Sequence, residues 1–112
     1  PHPSHPPTGE GVFDSIVCDA SFISLKKVLP AAMTLAKPKA KLIALIKPQF
    51  EVGKEIVSRG KGVVRDAAIH QAVCEDIRHW ITEQGWNVQG ITTSPITGPK
   101  GNVEFLIFAV KI

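Results

Sequence analysis

Three charged residues stand where an apolar sheet should not carry them. Asp19 closes the short apolar run Ile16, Val17, Cys18, Lys47 closes the run from Leu42 to Ile46, and Glu104 lies inside VEFLIFAV near the start of the last apolar segment. Taken singly, each reads as an ordinary strand-end or edge charge reaching solvent. Together they suggest a site, because open α/β sheets bind ligands beyond the carboxyl ends of their strands. Asp19 and Lys47 occupy two such ends, and Glu104 joins them if its strand runs the other way. A lysine flanked by two carboxylates offsets the cost of burying any one of the charges and can also hold or move a proton. Carboxylate neighbours raise a lysine pKa and desolvation lowers it, and the sequence leaves that balance open.

Lys54, Arg59, Lys61, Arg65 and Lys100 lie in the connections around this edge. They fit a basic rim for a phosphate backbone, where each cation near a phosphate releases counterions. They fit ordinary solvated loop charges equally well. The GKG at Gly60 to Gly62 lacks the spacing of a phosphate-binding loop and does not follow a strand. Cys18 and Cys74 sit in apolar runs without metal-ligand spacing, which predicts free buried thiols in a reducing compartment rather than a zinc site.

The elements that must position these residues follow from periodicity. Ile16 to Cys18 and Lys41 to Lys47 are continuous apolar runs expected of strands buried on both faces. Between them, Leu25, Val28, Leu29, Ala32, Met33 and Ala36 have helical spacing, with Ser24 as N-cap. Pro30 predicts a kink there or a helix starting at that proline, and Pro38 predicts the stop. A β-α-β unit with parallel strands results.

The connection QFEVGKEIVSRGKGVVR has no sustained period and reads as a long functional loop. Asp66 then caps a helix reaching about Gln84, with Ile69, Val73, Ile77, Trp80 and Ile81 on one face and Gly85 at its C-terminal cap. On this helix Glu75 and His79 are expected to form a surface pair, and His70 and Cys74 a packing pair. Trp86 to Ile91 and Val103 to Ile112 are predicted strands joined by a turn-rich loop. The absence of a helix between them implies one reversed strand in an otherwise parallel sheet.

The chain has 112 residues, 44% hydrophobic and 21% charged, which fits one globular domain and excludes a disordered tail or a disulfide-dense miniprotein. Its net charge of +3 permits an anionic partner without demanding one. No apolar run approaches the ~18 residues of a membrane span, and the start lacks the layout of a signal peptide, so a cytoplasmic protein with no membrane partner is expected. Residues 1–11 hold four of the nine prolines and two of the four histidines. They are expected to be a flexible lead or a remnant of expression, with the folded domain over residues 12–112.

Four segments carry a resemblance: CDASFISL at Cys18 to Leu25, LIALIKPQFEVGK at Leu42 to Lys54, GVVRD at Gly62 to Asp66 and SPITGPKGNVEF at Ser94 to Phe105. In order and spacing they resemble the haemolysin A (TlyA) family of ribosomal RNA methyltransferases, from about Phe13 to the C-terminus. The resemblance implies an FtsJ-like, Rossmann-like α/β domain that transfers methyl from S-adenosylmethionine to ribose 2′-hydroxyls of rRNA. It implies a Lys-Asp-Lys-Glu catalytic set whose last three members fall on Asp19, Lys47 and Glu104, with Asp19, Ala20 and Ser21 beside the methyl donor.

The family's first lysine, Gly-rich cofactor loop, ribose-holding acid and S4-type RNA-binding domain all belong upstream of Asp19. The chain is therefore expected to be the C-terminal part of the methyltransferase sheet, strands four to seven, inactive alone and prone to self-association through an exposed sheet edge. A non-catalytic RNA-binding module is the alternative reading. A membrane-active haemolysin fits less well, because no long amphipathic or spanning segment is present.

Overall fold

The computed structural model describes residues 11–112. β1 (Phe13–Cys18) leads through an exposed loop to two short helices, α1 (Leu25–Val28) and α2 (Pro30–Thr34), and then to β2 (Ala36–Ile46). Two more short helices, α3 (Pro48–Glu51) and α4 (Lys54–Arg59), precede the long α5 (Ala67–Glu83). β3 (Trp86–Thr93), a 3-10 turn at Pro99–Gly101 and β4 (Phe105–Lys111) complete the chain.

The sheet order is β1-β2-β4-β3. β2 is parallel to β1, and β4 is antiparallel to both β2 and β3, so β4 is the reversed strand of the mixed α/β sheet that the connections predict. Cys18 pairs with Ala44, and Ile46 pairs with Phe105. The ends of β1 and β2 and the start of β4 therefore share one edge, where Asp19, Lys47 and Glu104 follow or precede them.

Pro30 starts α2 rather than kinking a single helix; Ser24 caps α1, its oxygen accepting from the Lys26 amide at 3.1 Å. Two positions depart from expectation here. Ala36 belongs to β2, not to the helix. Pro38 lies inside the strand. The register jumps from Phe13 opposite Ala36 to Ser15 opposite Lys41, so residues 37–40 bulge and Pro38 has no ladder bond to supply. Lys39 at φ 67° completes that bulge. The long connection also departs from a bare loop, since α3 and α4 form within it.

Asp66 caps α5 as expected, accepting from the Ala68 amide at 2.8 Å, and Gly85 follows the helix at φ 88°. Ile77 and Ile81 are fully buried against the sheet, in one cluster with Leu42, Ala44, Ile46, Trp86, Ile107 and Ala109. Leu25, Leu29 and Met33 join the same cluster, so α1, α2 and α5 cover one face. Burial of each large side chain there contributes ~1.5–3 kcal/mol.

The other face corrects the expectation of strands buried on both sides. β2 alternates buried and exposed residues toward its end, Val17 is 77% exposed, and Ile43 and Phe108 are half-exposed. The helices that join the core cluster, α1, α2 and α5, pack on the opposite side. The surface pairs of α5 also differ from expectation: Glu75 meets Arg78 at 3.4 Å, and His79 meets Glu83 at 3.5 Å. His70 contacts the Val64 carbonyl at 2.7 Å and stands edge-on to Phe105.

The expected proline-rich lead, residues 1–10, lies outside the described residues. Gly11, assigned to that lead, is buried, and a Cβ there would strike the backbone of Leu35 and Ala36.

Candidate functional site

Strand ends place the acid and the base. Lys47 leaves β2 in extended conformation, and Pro48 stands at the first position of α3 directly after it. Lys47 is buried, and its Nζ lies 2.5 Å from Asp19 Oδ1 and donates to Ser21 Oγ at 3.1 Å. An ammonium has three donors, and the β1 loop takes two of them. Asp19 is itself 64% exposed, so the pair joins a buried cation to a carboxylate facing outward.

The loop bearing Asp19 and Ser21 is tied to the segment bearing Lys47. Glu51 of α3 accepts from the Ser24 hydroxyl at 2.7 Å and from the Leu25 amide at 2.9 Å, capping α1 from across the site. Phe22, between the two ties, is 88% exposed at φ 65° and packs on Phe50, with ring centroids 5.0 Å apart.

Glu104 is buried beside this pair but does not form the second flank of Lys47. Its Oε2 accepts from Gln49 Nε2 at 3.0 Å, and no ion pair links it to Lys47 among the described residues. Gly98 closes over the carboxylate so tightly that a Cβ there would overlap Glu104 Oε2. Asn102, 2% exposed, fixes both loops that carry basic residues. It accepts from the Val64 amide at 2.9 Å and donates to the carbonyls of Gly62 at 2.8 Å and Pro99 at 3.0 Å.

The five basic residues divide. Lys54, Lys61 and Lys100 line a hollow of about 760 Å³ with Phe22, Gln49 and Phe50. Lys100 Nζ reaches the Lys61 carbonyl at 3.4 Å across Gly62, where a side chain would meet that amine. Arg59 and Arg65 line a separate hollow, with Arg59 facing Glu55 at 3.8 Å and Arg65 donating to the Gly60 carbonyl.

Of the four non-glycine residues with positive φ among the described residues, Phe22, Lys61 and Lys100 line the first hollow. Side chains held in left-handed backbone cost energy that the surrounding structure must supply, and such residues cluster at functional sites. Phe22, Gln49, Phe50 and Asn102 were not legible as site residues. Their sequence signals are proximity to Asp19, Lys47 and Glu104 and a place inside the segments that carry the resemblance.

Burial pushes the Cys18 thiol up, opposed by the Ala20 amide and by Lys47 and assisted by Asp19. Burial likewise pushes Cys74 up to about 11. Both cysteines are free; Cys74 is buried and Cys18 only partly so. No group of side chains suited to a metal ion occurs among the described residues, and no described helix is long and apolar enough to cross a membrane.

A mixed sheet with one reversed strand, helices packed on it and a charged cluster beyond the carboxyl ends of its parallel strands defines a Rossmann-like α/β ligand-binding architecture. The chain belongs to the FtsJ-like methyltransferase family, matching it over residues 3–111. It is 43% identical over 98 residues to the 16S/23S rRNA (cytidine-2′-O)-methyltransferase TlyA of Mycobacterium tuberculosis, covering 88% of this chain and 36% of that protein. With the 23S rRNA (cytidine-2′-O)-methyltransferase TlyA of Campylobacter jejuni the identity is 38%, over 91% of this chain and 40% of the relative. A solved hemolysin candidate from Streptococcus thermophilus superposes with a TM-score of 0.84 at 40% identity, over 90% of this chain and 36% of the other. The chain thus spans roughly a third to two fifths of the length of these curated relatives.

Proposed function

We propose that this chain is the acceptor side of an rRNA ribose 2′-O-methyltransferase, acting in the cytoplasm on ribosomal RNA. The observation that carries the reading is the buried Lys47 ammonium clamped by Asp19 at 2.5 Å on the shared strand edge, with Glu104 buried beside it. S-adenosylmethionine, when bound, supplies an electrophilic sulfonium methyl. Asp19 and Ser21, exposed, with Ala20 half-buried between them, form a rim that fits one wall of its site. β1 has a strand partner on one side only among the described residues, which leaves the rim open toward the free edge. The remaining walls then come from a region corresponding to the longer part of the relatives, and the chain alone transfers no methyl group.

Lys47 orients the ribose hydroxyl. Two of its donors are committed to Asp19 and Ser21, which fixes the direction of the third toward a substrate oxygen. Asp19 holds the ammonium in place, and Glu104, held by Gln49, supplies a second carboxylate to accept a hydrogen bond from the ribose. Aligning the hydroxyl oxygen with the methyl carbon at roughly 3–3.5 Å supplies most of the rate, and passing the hydroxyl proton to the Glu104 carboxylate that accepts its hydrogen bond adds about 10²–10⁴-fold. Lys54, Lys61 and Lys100 hold phosphates, and Phe22 with Phe50 offers a surface on which an unstacked base rests. Arg59 and Arg65, on the second hollow, touch RNA only outside the target nucleotide.

The test is to join the chain to the upstream region of a TlyA relative and supply rRNA with a labelled methyl donor. The expected product is a 2′-O-methylated nucleoside, lost with Lys47→Ala while RNA affinity is kept. Labelling that survives Lys47→Ala, or none from a folded fusion that binds the donor, rejects the reading. RNA binding without any transfer identifies an RNA-binding module instead.

A further inference from the structure

Gln49 carries an acceptor with nothing to accept. The residue is 7% exposed in the first turn of α3, its Nε2 donates to Glu104 Oε2 at 3.0 Å, and its Oε1 is buried without a partner. Buried polar atoms are nearly always paired, so an orphan calls for an explanation, and one on a residue that lines an open hollow points to a partner bound there. The orientation of the amide is not free. A carboxylate only accepts, so turning the amide round would set two oxygens against each other. Glu104 thereby fixes Gln49 to present oxygen, not nitrogen, on its other side.

Gln49 also lines the hollow that holds Phe22, Phe50, Lys54, Lys61 and Lys100. Flat aromatic rings, cations and one amide oxygen are the parts of a pocket for an unstacked nucleotide: a stacking surface, phosphate contacts and a hydrogen bond to the base edge. We infer that Gln49 is a specificity-determining residue whose Oε1 accepts from the exocyclic amine of the bound base, selecting cytosine over uracil. Uracil presents a carbonyl oxygen where cytosine presents its amine, and oxygen facing Oε1 is repelled. The M. tuberculosis and C. jejuni relatives are both named for cytidine. The inference rests on the RNA reading above and deepens it.

The experiment measures binding of the full chain to short oligouridines whose central nucleotide is cytidine, uridine or the 4-unsubstituted pyrimidin-2-one. Cytidine is expected to bind about tenfold more tightly than uridine, with the pyrimidinone between them. Gln49→Met should bring the three within about twofold while leaving the salt dependence unchanged. The pyrimidinone arm needs no variant, so the inference stays testable even if Gln49→Met does not fold. Equal binding of cytidine and uridine by the wild-type chain, or a preference that survives Gln49→Met, overturns the role of Gln49 and leaves RNA binding standing. Failure of every oligonucleotide to bind overturns the RNA reading and this inference with it.

Discussion

Gln49, not Lys47, is the partner of Glu104. The two residues stand two positions apart after β2 and take one carboxylate each: Lys47 holds Asp19 at 2.5 Å, and Gln49 holds Glu104 at 3.0 Å. The chain turn at Pro48 separates them, so a single segment fixes both acids by side chains of different chemistry. The cation is committed to the exposed acid, and the neutral amide secures the buried one. Neutral pairing spares Glu104 a buried ion pair, whose desolvation cost can exceed its Coulomb gain.

Replacing Lys47 by alanine in the completed enzyme should abolish turnover by about 10²-fold or more, with rRNA affinity changed by less than about threefold. Filter binding and methyl incorporation measured on the same preparation check this. A parallel loss of affinity would mean that Lys47 mainly binds RNA.

The division of the basic residues predicts unequal salt effects. Each of Lys54→Ala, Lys61→Ala and Lys100→Ala should reduce the slope of log affinity against log salt by about 0.7 for a single-stranded RNA. Arg59→Ala and Arg65→Ala should leave it nearly unchanged, because these residues face the other hollow. Affinity for a short single strand, measured across a salt series, separates the two groups.

Asn102 joins the loop at Gly62 and Val64 to the turn at Pro99, so Asn102→Ala leaves the buried Val64 amide without an acceptor. The expected loss is about 2–3 kcal/mol, a fall in Tm on the order of 10 °C. Gly98→Ala acts on the neighbouring contact by forcing Glu104 off Gln49. It should cost about 1–3 kcal/mol and, in the completed enzyme, more activity than the melting shift alone explains. Thermal unfolding of both variants provides the check.

Much of this arrangement was legible in the residues. The strand ends at Asp19 and Lys47, the Asp66 cap and the reversal of β4 all follow from apolar runs, capping chemistry and connection length. What was not legible depends on long-range contact. Pro38 normally breaks regular structure, yet β2 absorbs it in a bulge set by its register with β1. The apolar runs of β1 and β2 suggest cover on two faces, whereas α1, α2 and α5 cover one. Glu104 and Lys47 reach the same edge, but their separation by Gln49 depends on how Pro48 turns the chain.

Burial holds the Cys74 thiol at about 11 against an ordinary 9.0. The folded chain therefore keeps a proton that the unfolded chain loses between these values, and stability contributed by Cys74 falls as pH rises from 9 toward 11. Below pH 9 both states are protonated and the contribution is complete. Urea unfolding at pH 8 and pH 10 should show a larger loss for wild type than for Cys74→Ala. Thiol titration of the folded chain should modify Cys18, which is only partly buried, before Cys74.

The free side of β1 predicts association. Among the described residues β1 pairs only with β2, and Val17 at 77% exposure stands on the uncovered face with half-exposed Ile43 and Phe108. An unpaired apolar edge is a template for a second strand, and charge on such an edge blocks it. Sedimentation of the chain should show concentration-dependent association, and Val17→Lys should return it to monomer without lowering Tm. That substitution leaves β1's ladder to β2 and the Asp19 loop in place. A chain that stays monomeric at high concentration, or a Val17→Lys variant that associates equally, would show that this surface does not drive self-association.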